Sequence, residues 1–293
     1  MSVFSRTRWV LLCGVAVAGA AEPERGVTVT PIAGSVSHVK GDCNHVASIG
    51  DDGLVFVDTC VAKTADKLLA SVTKLSAKPL RFVINTHVHG DHTGGNAVFQ
   101  KVAPIIASEN ARTWLAKGND VTRDKPSPPE TLPLITFEGE MTLHLNGEDI
   151  RLLTMPAGHT DGDVVVFFKK ANVIATGDVF MRPAAPFADR HYGGGMLKLI
   201  ASLEFLLPQI PEDAKVVPGH GGISSRADVA HGLDVLKRMK AVVEAGVREG
   251  KTLEQLTAER PFDQFRDSVP KWQSSDKSLD GWVRDFHREL TAK

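Results

Sequence analysis

The stretch Asn85–Gly95, NTHVHGDHTGG, holds three histidines and one aspartate within the six residues His87 to His92. Imidazole and carboxylate groups packed this tightly are metal ligands by type. His87 and His89 are two apart and point to one side of an extended backbone, while Asp91 and His92 are adjacent and aim at a second nearby point. The spacing therefore predicts two metals. A structural zinc closes its shell with four protein ligands, often cysteines, and no cysteine stands near this stretch. An open, catalytic site is the expectation. Three other glycine-flanked junctions offer further ligands: His159 in PAGHTDGD, Asp178 in ATGD and His220 in VPGHGG. Each alone would read as a hydrogen-bonded structural residue; together they complete a metal constellation.

Side chains that converge need rigid elements behind them. LRFVIN is an apolar run of strand length ending at Thr86, and Gly90, Gly94 and Gly95 let the following backbone turn sharply. TADKLLASVTKLS, GNAVFQ and ENARTWLAK have helical character, and PIIAS reads as a strand between the last two. MTLHLNGEDIRLLTMPA places two strand-like runs around Asn146-Gly147, a strong hairpin signature. DVVVFFKKANVIATGD gives two more strands, GGMLKLIASLEFLL a helix, and AKVVPGHGG a strand running into a turn. The resulting order is helix, sheet, sheet, helix, the alternation of a layered α/β protein. From Asp228 onward the pattern is mostly helical, with Leu233, Leu236, Met239, Val242 and Val243 forming a stripe that predicts packing on the core. Residues 118–133, rich in proline and charge, are expected to form a surface loop, either a flap over the site or a plain connector.

NHVASIGDDGLVFVD reads as a hairpin about an Asp-Asp-Gly turn, with Gly50 facing Leu54. It brings Cys43 and Cys60 near one another, and a disulfide between them and two separate thiols are both open. The first residues have a basic opening, an apolar run from Trp9 to Ala20 and a small-residue pattern at Ala18-Gly19-Ala20. That is the form of a cleavable secretory signal over 1–20, and the run is shorter than the roughly 20 residues that cross a bilayer. A secreted or periplasmic protein of one domain over 21–293, without stable membrane insertion, is expected. Hydrophobic residues at 42% and charged residues at 24% give enough apolar material for a substantial core. The formal charge of −1 falls to about −3 when Arg6 and Arg8 leave with the signal (32 basic against 35 acidic), which argues against nucleic acid as a partner and leaves small-molecule substrates open.

His87, His89, Asp91 and His92, followed by His159, Asp178 and His220, resemble the metallo-β-lactamase superfamily from about Val36 to Gly222. The resemblance implies a four-layered αβ/βα sandwich with the metals at one edge of the sheets. It assigns one metal to His87, His89 and His159, the other to Asp91, His92 and His220, with Asp178 bridging and Asp58 supporting the metal loop. Zinc suits this nitrogen-rich set, with iron and manganese as the alternatives. Water held between two such ions has its pKa lowered, to about 7 even on a single zinc, so a metal-bridging hydroxide is the implied nucleophile and Asp91 orients it. Thr86, Thr93 and Thr160 are then expected to hydrogen-bond to backbone or ligands.

The same metal core serves lactams, lactones, thioesters, sulfate esters and nucleic acids across the superfamily. The exported chain and the HTDGD and TGDVF segments resemble proteins close to the class B β-lactamases, which implies cleavage of a cyclic amide or ester. Classes B1 and B2 carry a cysteine where Asp178 stands, so this aspartate is similar instead to lactonases and glyoxalase II thioesterases. Flavodiiron oxidoreductases of the same fold carry glutamate at the place of His89, which weakens an iron redox reading; a non-catalytic metal-binding module is the third class. On the substrate side, FMRPAAPFADRHYGGG offers Arg182 as a carboxylate-binding residue, against a solvated arginine or one paired with Asp189. His191 and Tyr192 are weaker candidates. His38, His45, His144, His231 and His287 are expected to be structural or exposed.

Overall fold

In the computed structural model the described residues are 27–118, 125–183 and 187–292; the expected signal over 1–20 and positions 119–124 of the proline-rich stretch lie outside them. Strands β1 (Thr28–Ala33), β2 (Val36–Lys40), β3 (Asn44–Gly50) and β4 (Gly53–Val57) form an antiparallel meander. Parallel strands β5 (Leu80–Ile84), β6 (Ile105–Ser108) and β7 (Ile135–Phe137) extend it into a seven-stranded sheet in chain order. A second sheet of five strands holds β8 (Glu140–Leu145), β9 (Glu148–Thr154), β10 (Val164–Phe168), β11 (Val173–Gly177) and β12 (Lys215–Pro218), with only the β11–β12 pair parallel. The helices are α1 (Ala65–Val72), α2 (Gly90–Thr93), α3 (Asn96–Phe99), α4 (Glu109–Lys117), α5 (Met196–Leu206), α6 (Arg226–Arg248), α7 (Leu253–Ala258) and α8 (Asp276–Thr291).

The two-residue period of the strands sorts their side chains into layers. Val46, Val55 and Val57 meet Ile150, Val164, Val166 and Phe168 between the sheets. Their sequence neighbours Ala47, Leu54 and Phe56 face outward onto Leu68 and Val72 of α1 and Phe99 of α3. Val165 and Phe167 face the opposite way, onto Leu199 and Leu203 of α5, Leu236 and Met239 of α6, and Val283 and Phe286 of α8. Strands buried on both faces read as continuous apolar runs, which is why VVVFF carries no alternation. The mixed α/β sandwich of two sheets with outer helices is the expected architecture.

The Asn146-Gly147 hairpin forms with φ of 58° and 68° at its two central residues, the backbone that this dipeptide favours. The first hairpin differs by one residue from expectation: Gly50 faces Gly53, not Leu54. Extended further, that register would pair Cys43 with Cys60, but β4 stops at Val57 and the chain turns away through positive φ at Asp58 (66°) and Cys60 (62°). The two cysteines are therefore free thiols here, Cys43 donating to the Asp91 carbonyl at 3.3 Å and Cys60 to the Val61 carbonyl at 3.3 Å. GNAVFQ contributes one helical turn, α3, rather than a longer helix. Among the described residues, no helix is long and apolar enough to cross a membrane.

Candidate metal centre

The carboxyl ends of β4, β5, β11 and β12 open on one edge of the sandwich, the place where α/β sheets leave loops free to hold ligands. His87 and His89 follow β5, and the short α2 turns Asp91 and His92 beneath them. His159 comes from the β9–β10 loop, Asp178 from the end of β11 and His220 from the end of β12. All seven predicted ligand residues thus meet at this edge, and they fall into two sets. His87, His89, His159 and Asp178 bring one atom each within 4.8 Å of one another, as do Asp91, His92 and His220.

The spacing within each set fits a cation. Nε2 of His87 and Nε2 of His159 lie 3.2 Å and 2.9 Å from Nδ1 of His89. In the other set Asp91 Oδ2 is 3.4 Å from His92 Nε2 and 2.9 Å from His220 Nε2. A tetrahedral ion with ligands at 2.0–2.1 Å has edges of about 3.3 Å. Asp178 spans both sets, with Oδ2 3.7 Å from His159 Nε2 and Oδ1 3.4 Å from His92 Nε2.

Outer partners fix which nitrogen of each histidine faces inward. His92 Nδ1 donates to Asp58 Oδ2 at 2.7 Å, His89 Nε2 to Asp189 Oδ2 at 3.0 Å, His159 Nδ1 to the Phe187 carbonyl at 2.8 Å, and His87 Nδ1 to Thr86 Oγ1 at 3.0 Å. Each ring is left with a lone pair pointing at its neighbours. Asp58 also accepts from the Thr86 amide at 2.8 Å and the Thr86 hydroxyl at 2.9 Å, tying the end of β4 to the ligand loop. Thr93 donates to the Val88 and His89 carbonyls and Thr160 to Asp163, as expected of supporting hydroxyls.

Inside the cluster, His92 Nε2 and Asp178 Oδ1 are buried without a hydrogen-bond partner among the described residues. Buried polar atoms are rarely left so, and two in facing positions fit a bound cation. Burial drives His87 well below the usual imidazole range and His159 to about 4, so both stay neutral and free to ligate. Burial alone would raise Asp178, but His92, His220 and His159 carry it down to about 2. Asp91, likewise raised by burial, is held below the usual carboxylate range by His92 and His220. Burial alone would lower His92 and His220, but the neighbouring carboxylates, Asp178 and Asp91 among them, hold both above the usual imidazole range, so a divalent metal in the second set would take the place of a proton.

Sequence reasoning missed three supports. Asn44 donates to the Pro218 and Gly221 carbonyls, both at 2.8 Å, and so clamps the His220 loop of the second sheet to the first. Cys43, remote in sequence, lies under the site within 4.8 Å of ligand atoms of Asp58 and His92, its thiol pushed up to about 12 by burial. Gly219 has no room for a side chain, since a Cβ there would stand 1.9 Å from Asp178 Oδ1.

The cluster opens onto a cleft of about 350 Å³ lined by His89, Asp91, Asp178, His220, Met181, Phe187, Asp189 and Gln273. Arg182 lies in an adjoining cavity beside His220, its guanidinium held by the Ile223 carbonyl at 3.1 Å and by Asp228 at 3.3 Å rather than by Asp189. Tyr192 is buried, edge-on to His89 at 5.4 Å, whereas His191 is exposed. In the described end of the proline-rich stretch Leu132 packs with Val88 and Tyr192 behind the ligand loop, and Gln100 donates to the carbonyls of Glu130 and Leu132. Of the remaining histidines, His45 is buried, its Nδ1 donating to the Asp58 carbonyl at 3.1 Å.

A fold of two sheets between helices, carrying a His/Asp cluster at the sheet edge, defines a class of metallo-hydrolases. The solved structure of a metallo-beta-lactamase from Pontibacter korlensis superposes with a TM-score of 0.62 over 72% of this chain and 99% of its own, at 21% identity. The family model of the Metallo-beta-lactamase superfamily matches residues 41–220, and the chain belongs to that superfamily. Among curated relatives, a probable metallo-hydrolase of Methanocaldococcus jannaschii is 27% identical over 59% of this chain and 84% of its own length. A type 2 metallo-beta-lactamase of Bacillus cereus is 26% identical over 63% and 69%.

Proposed function

We propose that this chain is an exported dinuclear zinc hydrolase, β-lactamase-like, that opens a cyclic amide or ester. The observation that carries the reading is the joining of two ligand sets through Asp178 beneath an open cleft. His87, His89 and His159 would hold one zinc, Asp91, His92 and His220 the other, and Asp178 both. When bound, the pair supplies a water acidified to near neutrality and a Lewis acid for the scissile carbonyl.

The chain's own residues do the rest. Asp91 turns Oδ2 toward His92 and His220, so Oδ1 is the oxygen left to accept a proton from the attacking water. Asp189 and the Phe187 carbonyl hold His89 and His159 rigid, so the cluster need not reorganise as substrate enters. Met181 and Phe187 give the cleft an apolar wall that displaces water from the reacting bond. Arg182 keeps a place near the site, but with two partners it serves the wall more readily than a substrate carboxylate. Asp178 favours a second reading within the same chemistry, a lactone or thioester as the natural substrate.

The test uses the chain without residues 1–20, loaded with zinc and assayed on a chromogenic cephalosporin with and without chelator. Zinc-dependent turnover supports the lactam reading. Turnover of lactone or thioester instead moves the substrate and leaves the site intact. No hydrolysis of any lactam, lactone, thioester or sulfate ester, with two zincs bound, would sink the hydrolase reading. Export is checked separately, by recovery of the full chain, shortened by its first 20 residues, from a periplasmic fraction.

A further inference from the structure

Behind the two catalytic sets lies a third group of donors that their chemistry does not use. Cys43, Asp58 and His92 each place one ligand atom within 4.8 Å of the others, and all three side chains are buried. Cys43 stands just before β3, Asp58 just after β4 and His92 on α2, so three elements converge there. His45 Nε2 is 3.8 Å from Cys43 Sγ, and because Nδ1 donates to the Asp58 carbonyl, that nitrogen keeps its lone pair. Cys60, the other free thiol among the described residues, has a hydroxyl donor in Thr64 at 3.3 Å but belongs to no ligand set among them.

The group differs in kind from its neighbours. The catalytic sets offer imidazole and carboxylate only, whereas a sulfur beside those donors shifts the preference toward softer ions such as cadmium or copper(I). Without a cation the sulfur stays a thiol: burial pushes it up to about 12, with Asp58 and Asp91 adding to the effect and His92 opposing it. A coordinated thiol loses its proton outright. The bond from Cys43 to the Asp91 carbonyl, 3.3 Å, puts the sulfur directly behind the second catalytic set.

We propose that Cys43, Asp58 and His92 form a third cation site, selective for a thiophilic ion, whose occupation excludes metal from the set Asp91, His92 and His220. The two sites share one ring. His92 gives its Nδ1 hydrogen to Asp58 at 2.7 Å and presents Nε2 to the catalytic set. In the zinc-loaded chain an ion arriving at Nδ1 takes the place of that hydrogen, which passes to Nε2 as the zinc there leaves, and the thiol proton goes to solvent. A protonated Nε2 has no lone pair for a metal. The inference does not depend on which bond the cleft hydrolyses, or on whether it hydrolyses any.

The experiment titrates cadmium into the chain without residues 1–20, and so without Cys13. Thiolate-to-cadmium charge-transfer absorption and cadmium NMR report sulfur ligation, and elemental analysis counts the ions retained after dialysis. The wild type shows a charge-transfer band that saturates at one thiolate per chain and one cadmium resonance in the sulfur-ligated range. Cys43→Ser keeps a donor for the Asp91 carbonyl but has no sulfur; it loses both signals, whereas Cys60→Ser keeps both. Exclusion sets the ion count. Saturated wild type and Cys43→Ser each hold two ions per chain, one of them on sulfur in the wild type alone. No charge-transfer band in the wild type, or one that disappears with Cys60 instead of Cys43, overturns the site. Three ions per chain in the wild type, one of them on sulfur, overturns the exclusion. The wild-type and Cys60→Ser measurements decide the matter even if Cys43→Ser fails to fold, which its urea midpoint reports.

Discussion

Asp58 never reaches the cleft, yet two sides of the site depend on it: its carboxylate takes His92 Nδ1 and both donors of Thr86, and its carbonyl takes His45. With Nδ1 engaged, His92 offers Nε2 to the cluster. Asp58→Asn places an N–H where His92 needs an acceptor, so metal affinity should fall by 10–100-fold, roughly the effect of losing an outer partner. Competition against a chromophoric chelator reads this; unchanged affinity would mean that His92 is oriented by other contacts. His45, stacked on Phe56 at 5.3 Å, is held by burial at about 4, against 6.5 for the free side chain. Between those values the unfolded chain binds a proton that the folded one refuses. The associated stability is whole above pH 6.5 and is lost as pH falls through about 4, by roughly 3 kcal/mol. His45→Gln keeps a donor for the Asp58 carbonyl and cannot titrate. Urea unfolding of the metal-free proteins should therefore show the wild type losing ground to the variant from pH 7.5 to pH 4.5; parallel acid limbs would rule the mechanism out.

The ligands sit where strands stop, so the ends of the elements matter more than their middles. Gly219 lets β12 pass against Asp178, and Gly147 closes the β8–β9 hairpin at φ 68° with open space around it. Gly219→Ala must push Asp178 off its bridging position and should reduce bound metal below two ions per chain. Gly147→Ala meets only the left-handed backbone penalty of roughly 1–2 kcal/mol and should leave the metal count at two. Metal analysis after dialysis, with a urea midpoint for each variant, separates the cases, and equal metal loss in both would remove the argument. The same contrast explains what the sequence made legible. Histidines and aspartates at glycine-flanked strand ends carry their chemistry in their type, and the β8–β9 turn announces itself through Asn146-Gly147. The register of β3–β4 hung on one residue of a turn where Asp51, Asp52 and Gly53 all fit. Cys43 and Asn44 act across 48 and 174 positions of chain, respectively, and nothing in their local pattern points to those neighbours. β1 and β2 pair on an edge with mixed polar and apolar residues, too weak an alternation to declare strands.

At the scale of the molecule, the metal centre is a cross-link. Loops of the first sheet supply His87, His89, Asp91 and His92, and loops of the second supply His159, Asp178 and His220. The sheets are already joined along their length by the apolar layer of Val46, Val55, Ile84, Ile150, Val164 and Val166. Burying a side chain of that size contributes about 1.5–3 kcal/mol, so six of them outweigh what a pair of ions can add, and the chain should stay folded without metal. What the ions add is concentrated at one edge. Each metal at a thousand times its dissociation constant stabilises the native state by about 4 kcal/mol, so two give about 8 kcal/mol, which for a chain of this size is roughly 20 °C in Tm. Chelation should accordingly lower Tm by about that amount, and amide exchange should rise in residues 85–95, 156–163, 177–182 and 218–222 while β3, β4 and β10 stay protected. Even exchange across both sheets would mean that the ions hold the sandwich together rather than its edge. No change at all would mean that hydrogen bonds such as Asn44 to Pro218 and Gly221 suffice to pin the loops, leaving the metals to serve chemistry alone.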